Sequence, residues 1–291
     1  MSVEQPTKDQ LLEFVKAALH EDVQDGDHTS LATIPADARN KAKLLVKDEG
    51  VLAGMELAKL VFQHVDPTAT FEEFISDGTA INFGDIAFHV ECNAQALLKA
   101  ERLVLNAMQR MSGIATMTDR FMVELEGSSN KHVKLLDTRK TTPLLRFLEK
   151  WAVRIAGGTN YRNGLYDWIM IKDNHVDACG GIQKAVLRAN EYLKEHNKDL
   201  NITVEVRNLV ELYEVLEVGQ VTRIMLDNFE LPILKEAVKI VADKFETEAS
   251  GGVNLFTVRE IADTGVDFIS VGALTHSFES LDMSLKVLNN V

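Results

Sequence analysis

The sequence predicts an α/β protein in two parts: a mixed α+β segment up to about residue 115 and, after residue 130, a parallel α/β repeat forming a barrel or an open sheet. Three observations carry that reading. The chain changes character near residue 115, from segments of varied type to a regular rhythm. Short apolar runs rich in Val, Ile, Leu and Met then alternate with helix-like stretches. Each run is also followed by polar or glycine residues, as the carboxyl ends of strands that converge on a ligand would be.

In chain order, the first part opens with the helical stretch DQLLEFVKAALHED and continues through mixed segments at 41–65 and 71–113. Residues 95–111 are the most regular: Leu97, Ala100, Val104, Ala107, Met108 and Met111 recur at helical spacing. Arg102 lies away from that apolar centre, where a cation is ordinarily a solvated charge. In the second part, VKLL (133–136), WIMI (168–171), ITVEV (202–206), RIML (223–226), FETEA (245–249) and VDFISV (266–271) read as strands. Between the first two, TPLLRFLEKWAVRIAGG predicts a helix with Leu144, Phe147, Leu148, Trp151, Ala152 and Ile155 on one face. Pro143 stands near its start and Gly157-Gly158 at its end, and Arg146, Lys150 and Arg154 are expected on its surface.

Composition limits the function. The 291 residues are 46% hydrophobic and 26% charged, enough for a sizeable core. A net charge of −13 repels polyanions, so neither nucleic acid nor an anionic membrane is expected as a partner, and any anion must be captured locally. No apolar run reaches the ~20 residues of a membrane span and no signal peptide is visible, which makes a cytoplasmic location the default expectation. Cys92 and Cys179 stand far apart outside any CxxC pair, so neither a disulfide framework nor a zinc site is expected.

Local capture has a visible candidate. Residues 133–175 hold eight Lys/Arg against four Asp/Glu, a local excess of cations in an acidic chain. Arg139, Lys140, Arg162 and Lys172 fall in loops or at strand ends and suit a multiply anionic small molecule. The glycines of Ser250-Gly251-Gly252 and of Ser270-Val271-Gly272 expose backbone N–H groups that can cradle phosphate. Glu205 and Asp227, hard carboxylates at neighbouring strand ends, suit Mg²⁺ bridging a diphosphate, directly or through water. Neither a Walker lysine motif nor a strand-GxGxxG-helix unit is present, so nucleoside-triphosphate hydrolysis and dinucleotide redox chemistry fit poorly.

The block DTRKTTPLLRFLEKWAVRIAGGTNYRNGLYDWIMIKDNH resembles the signature of the quinolinate phosphoribosyltransferases, and the likeness continues through ERLVLNAMQRMSGIAT, VEVRNL, IMLDNF, ASGGV and TGVDFISVGALTH. The resemblance implies an N-terminal α/β sandwich at 1–114, joined by the C-terminal segment 276–291, and an incomplete α/β barrel at 115–275. It implies Mg²⁺-dependent transfer of phosphoribosyl from phosphoribosyl pyrophosphate to quinolinate with loss of CO₂, giving nicotinate mononucleotide for NAD synthesis. By resemblance, Arg139, Arg162 and Lys172 bind the quinolinate carboxylates, joined by Arg102 from the partner subunit of a homodimer or a larger oligomer of dimers. Thr138, Lys140, Glu205, Asp227, Ser250, Gly251, Gly252, Ser270, Val271, Gly272 and His276 surround the second substrate and its metal, with Lys140, Glu205 and Asp227 the catalytic residues, and Tyr161 belongs to the substrate-binding set. For His175 and His276 a site role and a structural hydrogen bond are equally open. The chain departs from the family pattern at Tyr161, where His is common before the arginine, and at Arg207, where an acidic residue is frequent. A phosphoribosyltransferase-like enzyme with another acceptor, of the molybdate-operon or nicotinate-using kind, and a silent anion-binding homologue are the two other readings.

Overall fold

A computed structural model of the chain describes residues 5–288, which divide into two compact units. The first comprises residues 5–119, Phe147–Gly157 and 278–288; the second comprises Arg120–Arg146 and Gly158–Ser277. The expected segments extend to residues 1–4 and 289–291, which lie outside the described residues.

The elements run α1 (Lys8–Val23), α2 (His28–Thr33), β1 (Arg39–Val46), β2 (Gly50–Val51), α3 (Met55–Val65), β3 (Thr70–Glu73), β4 (Ala80–Ile81), β5 (Ile86–Asn93) and α4 (Ala94–Glu126). They continue β6 (Lys134–Leu136), α5 (Arg146–Ile155), β7 (Ile169–Ile171), α6 (Asp173–Cys179), α7 (Ile182–Glu195), β8 (Ile202–Val206) and α8 (Leu209–Val218). The last are β9 (Arg223–Asp227), α9 (Leu231–Val241), β10 (Glu246–Ser250), α10 (Val258–Ala262), β11 (Phe268–Ser270), α11 (Ala273–His276) and β12 (Met283–Val287).

In the first unit a four-stranded antiparallel sheet has the order β12-β1-β5-β3, so a strand from the end of the chain pairs with one from its beginning. Leu44, Ala42, Phe88 and Val90 alternate with more exposed residues along β1 and β5, the period of a sheet with one buried face. α4 is longer than the 95–111 expected: it passes through Ser112-Gly113, which resembles a stop, because those small residues form its packing face. The Ser112 hydroxyl accepts from Ala53 N and the Thr116 hydroxyl from Val51 N, each at 2.9 Å. A side chain on Gly113 would collide with the carbonyl oxygen of Glu279.

Three expectations about residues 142–158 are corrected. The helix starts at Arg146, not near Pro143, because the Arg146 guanidinium donates to Thr141 Oγ1 at 2.9 Å and to Asn163 O at 2.8 Å and so holds residues 141–145 in a turn. Leu144 sits in that turn at φ 66° and is 92% exposed, not on the apolar face. Lys150 is fully buried, as is Glu149, which pairs with Arg110 at 2.6 Å; of the three cations expected on the surface only Arg154 is exposed. Phe147 meets Phe14 edge to face at 5.7 Å. These contacts place Phe147–Gly157 with the first unit, so the barrel segment expected at 115–275 is interrupted, and the unit boundary falls inside α4 at Asp119 rather than at residue 114.

The second unit is a six-stranded parallel sheet of order β6-β11-β10-β9-β8-β7. Each strand pairs with its successor from β7 to β11, and β11 returns to β6: this is barrel order, with one unpaired seam between β6 and β7. All five residues of β8 are buried, as befits a central parallel strand covered on both faces. The fold is an open α/β barrel.

Gly113→Ala tests the close approach at α4. Helix propensity alone favours Ala by about 1 kcal/mol, whereas overpacking at a closed site costs about 1–3 kcal/mol. The variant is expected to melt several degrees below the wild type by calorimetry; an equal or higher melting temperature would show that α4 is not pinned there.

Candidate active site

In the sheet every second residue faces the same side, and the ladder registers stack these residues into layers. One such row is Met170, Thr203, Arg223 and Glu246; the next is Glu205, Met225, Glu248, Phe268 and Lys134. Lys172, Glu205, Asp227, Ser250, Gly272 and Thr138 lie at or just beyond the carboxyl ends of the strands and line a cavity of about 810 Å³.

Thr138, Arg139, Lys140, Tyr161, Arg162, Lys172, Glu205, Asp227, Ser250, Gly251, Gly252, Ser270, Gly272 and His276 all line that cavity. Two expected residues do not. Val271 is 1% exposed and turned to the opposite face, as strand alternation requires; only its N–H, donating to Leu136 O, serves the site. Arg102 is exposed on α4 in the other unit and is not among the lining residues. Met170, Met225, Asn228, Val253 and Ala273 also line the cavity; counting back in twos from Lys172 and Asp227 would have found both methionines.

On the β6 side of the seam, the segment at 159–161 pairs with the strand. Thr159 N donates to Leu135 O, Asp137 N to Thr159 O, and the fully buried Asp137 carboxylate accepts from Tyr161 N at 2.9 Å and from Asn160 Nδ2 at 2.5 Å. This tie sets Arg162 beside Arg139. Burial first, and Arg139 second, hold the Arg162 guanidinium below its usual basicity, and Arg139 Nε is buried without a protein partner. Two like charges held together, half withdrawn from water, favour an anion between them.

The remaining groups follow from the strand ends. Lys172 pairs with Glu205 on the next strand, while its backbone N–H donates to His175 Nδ1 at 2.9 Å. That bond caps α6, and His175 is not a lining residue, so its role is structural. His276 does line the cavity, its Nδ1 sharing a hydrogen bond with Ser277 Oγ at 2.7 Å. Lys140 N donates to Thr138 Oγ1 at 3.0 Å, and Lys140 O accepts from Thr275 Oγ1 at 2.9 Å, fixing the backbone while the ammonium stays exposed. Gly251 and Gly252 have φ of 94° and 62°, left-handed values that suit glycine, and a side chain on Gly251 would strike Asn228. At Gly272 the constraint is proximity: a Cβ would lie 2.9 Å from His276 Nε2 and 3.0 Å from Lys140 Cδ.

Below the cavity sits a polar core that sequence reasoning missed. Arg223 is 5% exposed, its guanidinium 3.7 Å from the Phe268 ring centre and 4.8 Å from that of Tyr161, and it pairs with Glu246 and Glu248. Burial pushes the Glu248 carboxyl up, with Arg223 pulling the other way. Tyr161, the departure noted in the sequence, shares a 2.7 Å hydrogen bond with Thr203 Oγ1, and burial raises its hydroxyl above the ordinary range, so it stays protonated. Arg207, the other departure, lies outside the cavity and pairs with Glu211 and Asp177, tying α8 to α6.

With this geometry in view, comparison with known proteins is specific. The family model described as quinolinate phosphoribosyl transferase, C-terminal domain, matches residues 114–286, and the N-terminal domain model of the same family matches 27–112. A chloroplastic nicotinate-nucleotide pyrophosphorylase [carboxylating] of Arabidopsis thaliana is 47% identical, covering 97% of this chain and 84% of that protein. A probable nicotinate-nucleotide pyrophosphorylase [carboxylating] of Bacillus subtilis is 40% identical over 96% of this chain and 93% of its own. The crystal structure of NadC from Streptococcus pyogenes superposes with a TM-score of 0.90 at 37% identity, covering 98% of this chain and all of that one.

Arg139→Ala separates binding from folding. A charge-assisted bond to a desolvated carboxylate contributes roughly 1.5–3 kcal/mol, so affinity for an aromatic dicarboxylate, measured by calorimetry, is expected to fall about tenfold to a few hundredfold. The melting temperature is expected to hold or rise, because the substitution relieves Arg162. Unchanged affinity would remove Arg139 from the site.

Proposed function

The chain belongs to the quinolinate phosphoribosyltransferase family, and we propose that it transfers phosphoribosyl from phosphoribosyl pyrophosphate to quinolinate, forming nicotinate mononucleotide, pyrophosphate and CO₂ in de novo NAD biosynthesis. The observation that carries this reading is the crowding of Arg139, Lys140, Arg162 and Lys172 into one cavity against only Glu205 and Asp227, with Arg139 and Arg162 side by side.

The chemistry follows from charge. Arg139, Arg162 and Lys172 take the two carboxylates and hold the pyridine nitrogen toward the anomeric carbon of the sugar, so the bimolecular step becomes a matter of orientation. Lys140 and the N–H groups at Gly251 and Gly252 stabilise the departing pyrophosphate as the ribose passes through an oxocarbenium-like state. The nitrogen lone pair forms the new bond to carbon while the C–O bond to pyrophosphate breaks. The ring nitrogen, now cationic, accepts the electron pair released when the C2–carboxylate bond breaks, and C2 then takes a proton from water. No protein nucleophile is needed, and Tyr161, protonated and bonded to Thr203, is not a base.

Glu205 and Asp227 fit a hard divalent cation. They are two oxygen ligands on adjacent strands, and among the described residues no cluster of three or more His, Cys, Asp or Glu forms a closed site. That set leaves ligand positions for diphosphate oxygens and water, which is the usual demand of Mg²⁺. Mg²⁺ held there would neutralise charge on the leaving group. We further place the enzyme in the cytoplasm and assign it a homodimeric or larger assembly in which Arg102, exposed on α4, completes the partner's cavity. Among the described residues no helix is long and apolar enough to cross a membrane.

With Mg²⁺ and phosphoribosyl pyrophosphate supplied, quinolinate is expected to yield nicotinate mononucleotide and CO₂ in equal amounts, and nicotinate to yield nothing. Product from nicotinate would point to another acceptor, and no product from either to a silent homologue. Glu205→Gln or Asp227→Asn is expected to weaken the dependence of phosphoribosyl pyrophosphate binding on Mg²⁺, read by calorimetry with and without EDTA; equal metal dependence in both variants and wild type would contradict the ligand role. For Arg102, inactive Arg102→Ala and Lys172→Ala proteins are unfolded, mixed and refolded together. In a shared-site dimer about half the molecules are mixed and carry one intact site, so roughly a quarter of wild-type activity should return. No recovery in mixtures containing heterodimers would reject the shared site.

A further inference from the structure

Behind the cavity wall lies a carboxylate that the reaction so far does not use. Glu248, in the middle of β10, is completely buried and is not a lining residue. Both its oxygens are committed: Oε1 accepts the hydroxyl proton of Ser270, Oε2 accepts from Arg223 Nη1 at 3.2 Å, and the Tyr161 hydroxyl also bonds the carboxylate. Arg223 is itself fixed by Glu246 at 2.9 Å and by the ring of Phe268, so the carboxylate is held from the side away from the cavity.

Ser270 does line the cavity. A serine hydroxyl has one proton and two acceptor sites, and ordinarily rotates to suit whatever it meets. Here the proton is taken by Glu248, so the oxygen offers only lone pairs to the cavity. Carboxylate and phosphate oxygens are acceptors as well, and such an oxygen repels them. The ligand group it fits is a hydroxyl, and of the two substrates only the sugar of phosphoribosyl pyrophosphate carries any.

We propose that Glu248 is a positioning residue that fixes Ser270 Oγ as the acceptor for a ribose hydroxyl, and so sets the orientation of the sugar at the end of β11. The inference rests on the phosphoribosyl-transfer reading and deepens it. It also explains why a buried carboxylate lies next to a cavity built to attract anions: it faces the donor, not the ligand.

Glu248→Gln tests this with little change of shape. Arg223 can only donate, so the amide oxygen must face it, the NH₂ must face Ser270, and the Ser270 proton turns into the cavity. The KM for phosphoribosyl pyrophosphate is expected to rise about tenfold, the effect of losing roughly one hydrogen bond, while the calorimetric affinity for quinolinate stays within about twofold of wild type. Ser270→Ala should give a similar rise, and the double variant should be no worse than either single one, since both remove the same bond. An unchanged KM, an equal effect on both substrates, or losses that multiply in the double variant would overturn the proposal. Should Glu248→Gln fail to fold, Ser270→Ala against Ser270→Thr decides: a rise in the first with near-normal KM in the second supports the role, and normal KM in Ser270→Ala rejects it. A wild-type protein that makes no product from quinolinate would instead reject the functional reading itself.

Discussion

The tie between Asp137 and the segment at 159–161 is the contact on which the site depends. A six-stranded sheet in barrel order leaves one seam unpaired, and an open seam exposes backbone groups that need partners. Here the chain between α5 and β7 lines its β6 edge, bridging Leu136 through Thr159 and delivering Asn160 Nδ2 and Tyr161 N to a fully buried carboxylate. The same arrangement fixes the two residues next to its ends, Arg139 and Arg162. Two guanidinium groups would ordinarily drift apart in water; held by the backbone on either side of Asp137, they keep a local concentration of positive charge that an anion can neutralise. The β6 edge and the arginine pair are thus held by one set of hydrogen bonds.

Beneath that layer the barrel departs from an apolar core. Arg223, Glu248, Ser270 and Thr203 occupy the interior with Tyr161, Trp168 and Phe268 around them. Burying such a pair is costly unless every hydrogen bond is satisfied, and replacing it by apolar residues is often neutral or stabilising. What the polar layer provides is orientation of cavity-lining side chains: Tyr161 is held by its hydroxyl and Ser270 by its proton, while Met170 and Met225 add apolar surface to the same cavity. A flat aromatic ring bearing two carboxylates needs both, cations at its rim and an apolar floor beneath.

Much of this was legible in the sequence because a parallel barrel repeats one simple rule. Six apolar runs mark six strands, and the residues that follow them must share a mouth, so Lys172, Glu205, Asp227 and Gly272 could be gathered without coordinates. The same rule, applied strictly in twos, excludes Val271 and includes Met225. Arg223 and Glu248 escaped because a charged residue inside a strand run looks like an exposed position until its partners on neighbouring strands are known. Lys150 and Glu149 escaped for a related reason: a helix with charges at its centre reads as a surface helix, and only Arg110, some forty positions away, reveals that Glu149 is buried in a pair. The helix read at 95–111 stopped short because the regular apolar spacing ends there, while Ser112-Gly113 carry α4 onward against Glu279, far along the chain.

The central claim is that Arg139 and Arg162, held by Asp137, form the seat of a dianion. A crystal structure of the protein with quinolinate bound tests it most directly. The account expects one carboxylate within hydrogen-bond distance of both Arg139 and Arg162, Arg139 Nε satisfied, and Lys172 turned from Glu205 toward the ligand. Quinolinate bound with its carboxylates away from both arginines, while Asp137 still holds Asn160 and Tyr161, would contradict it.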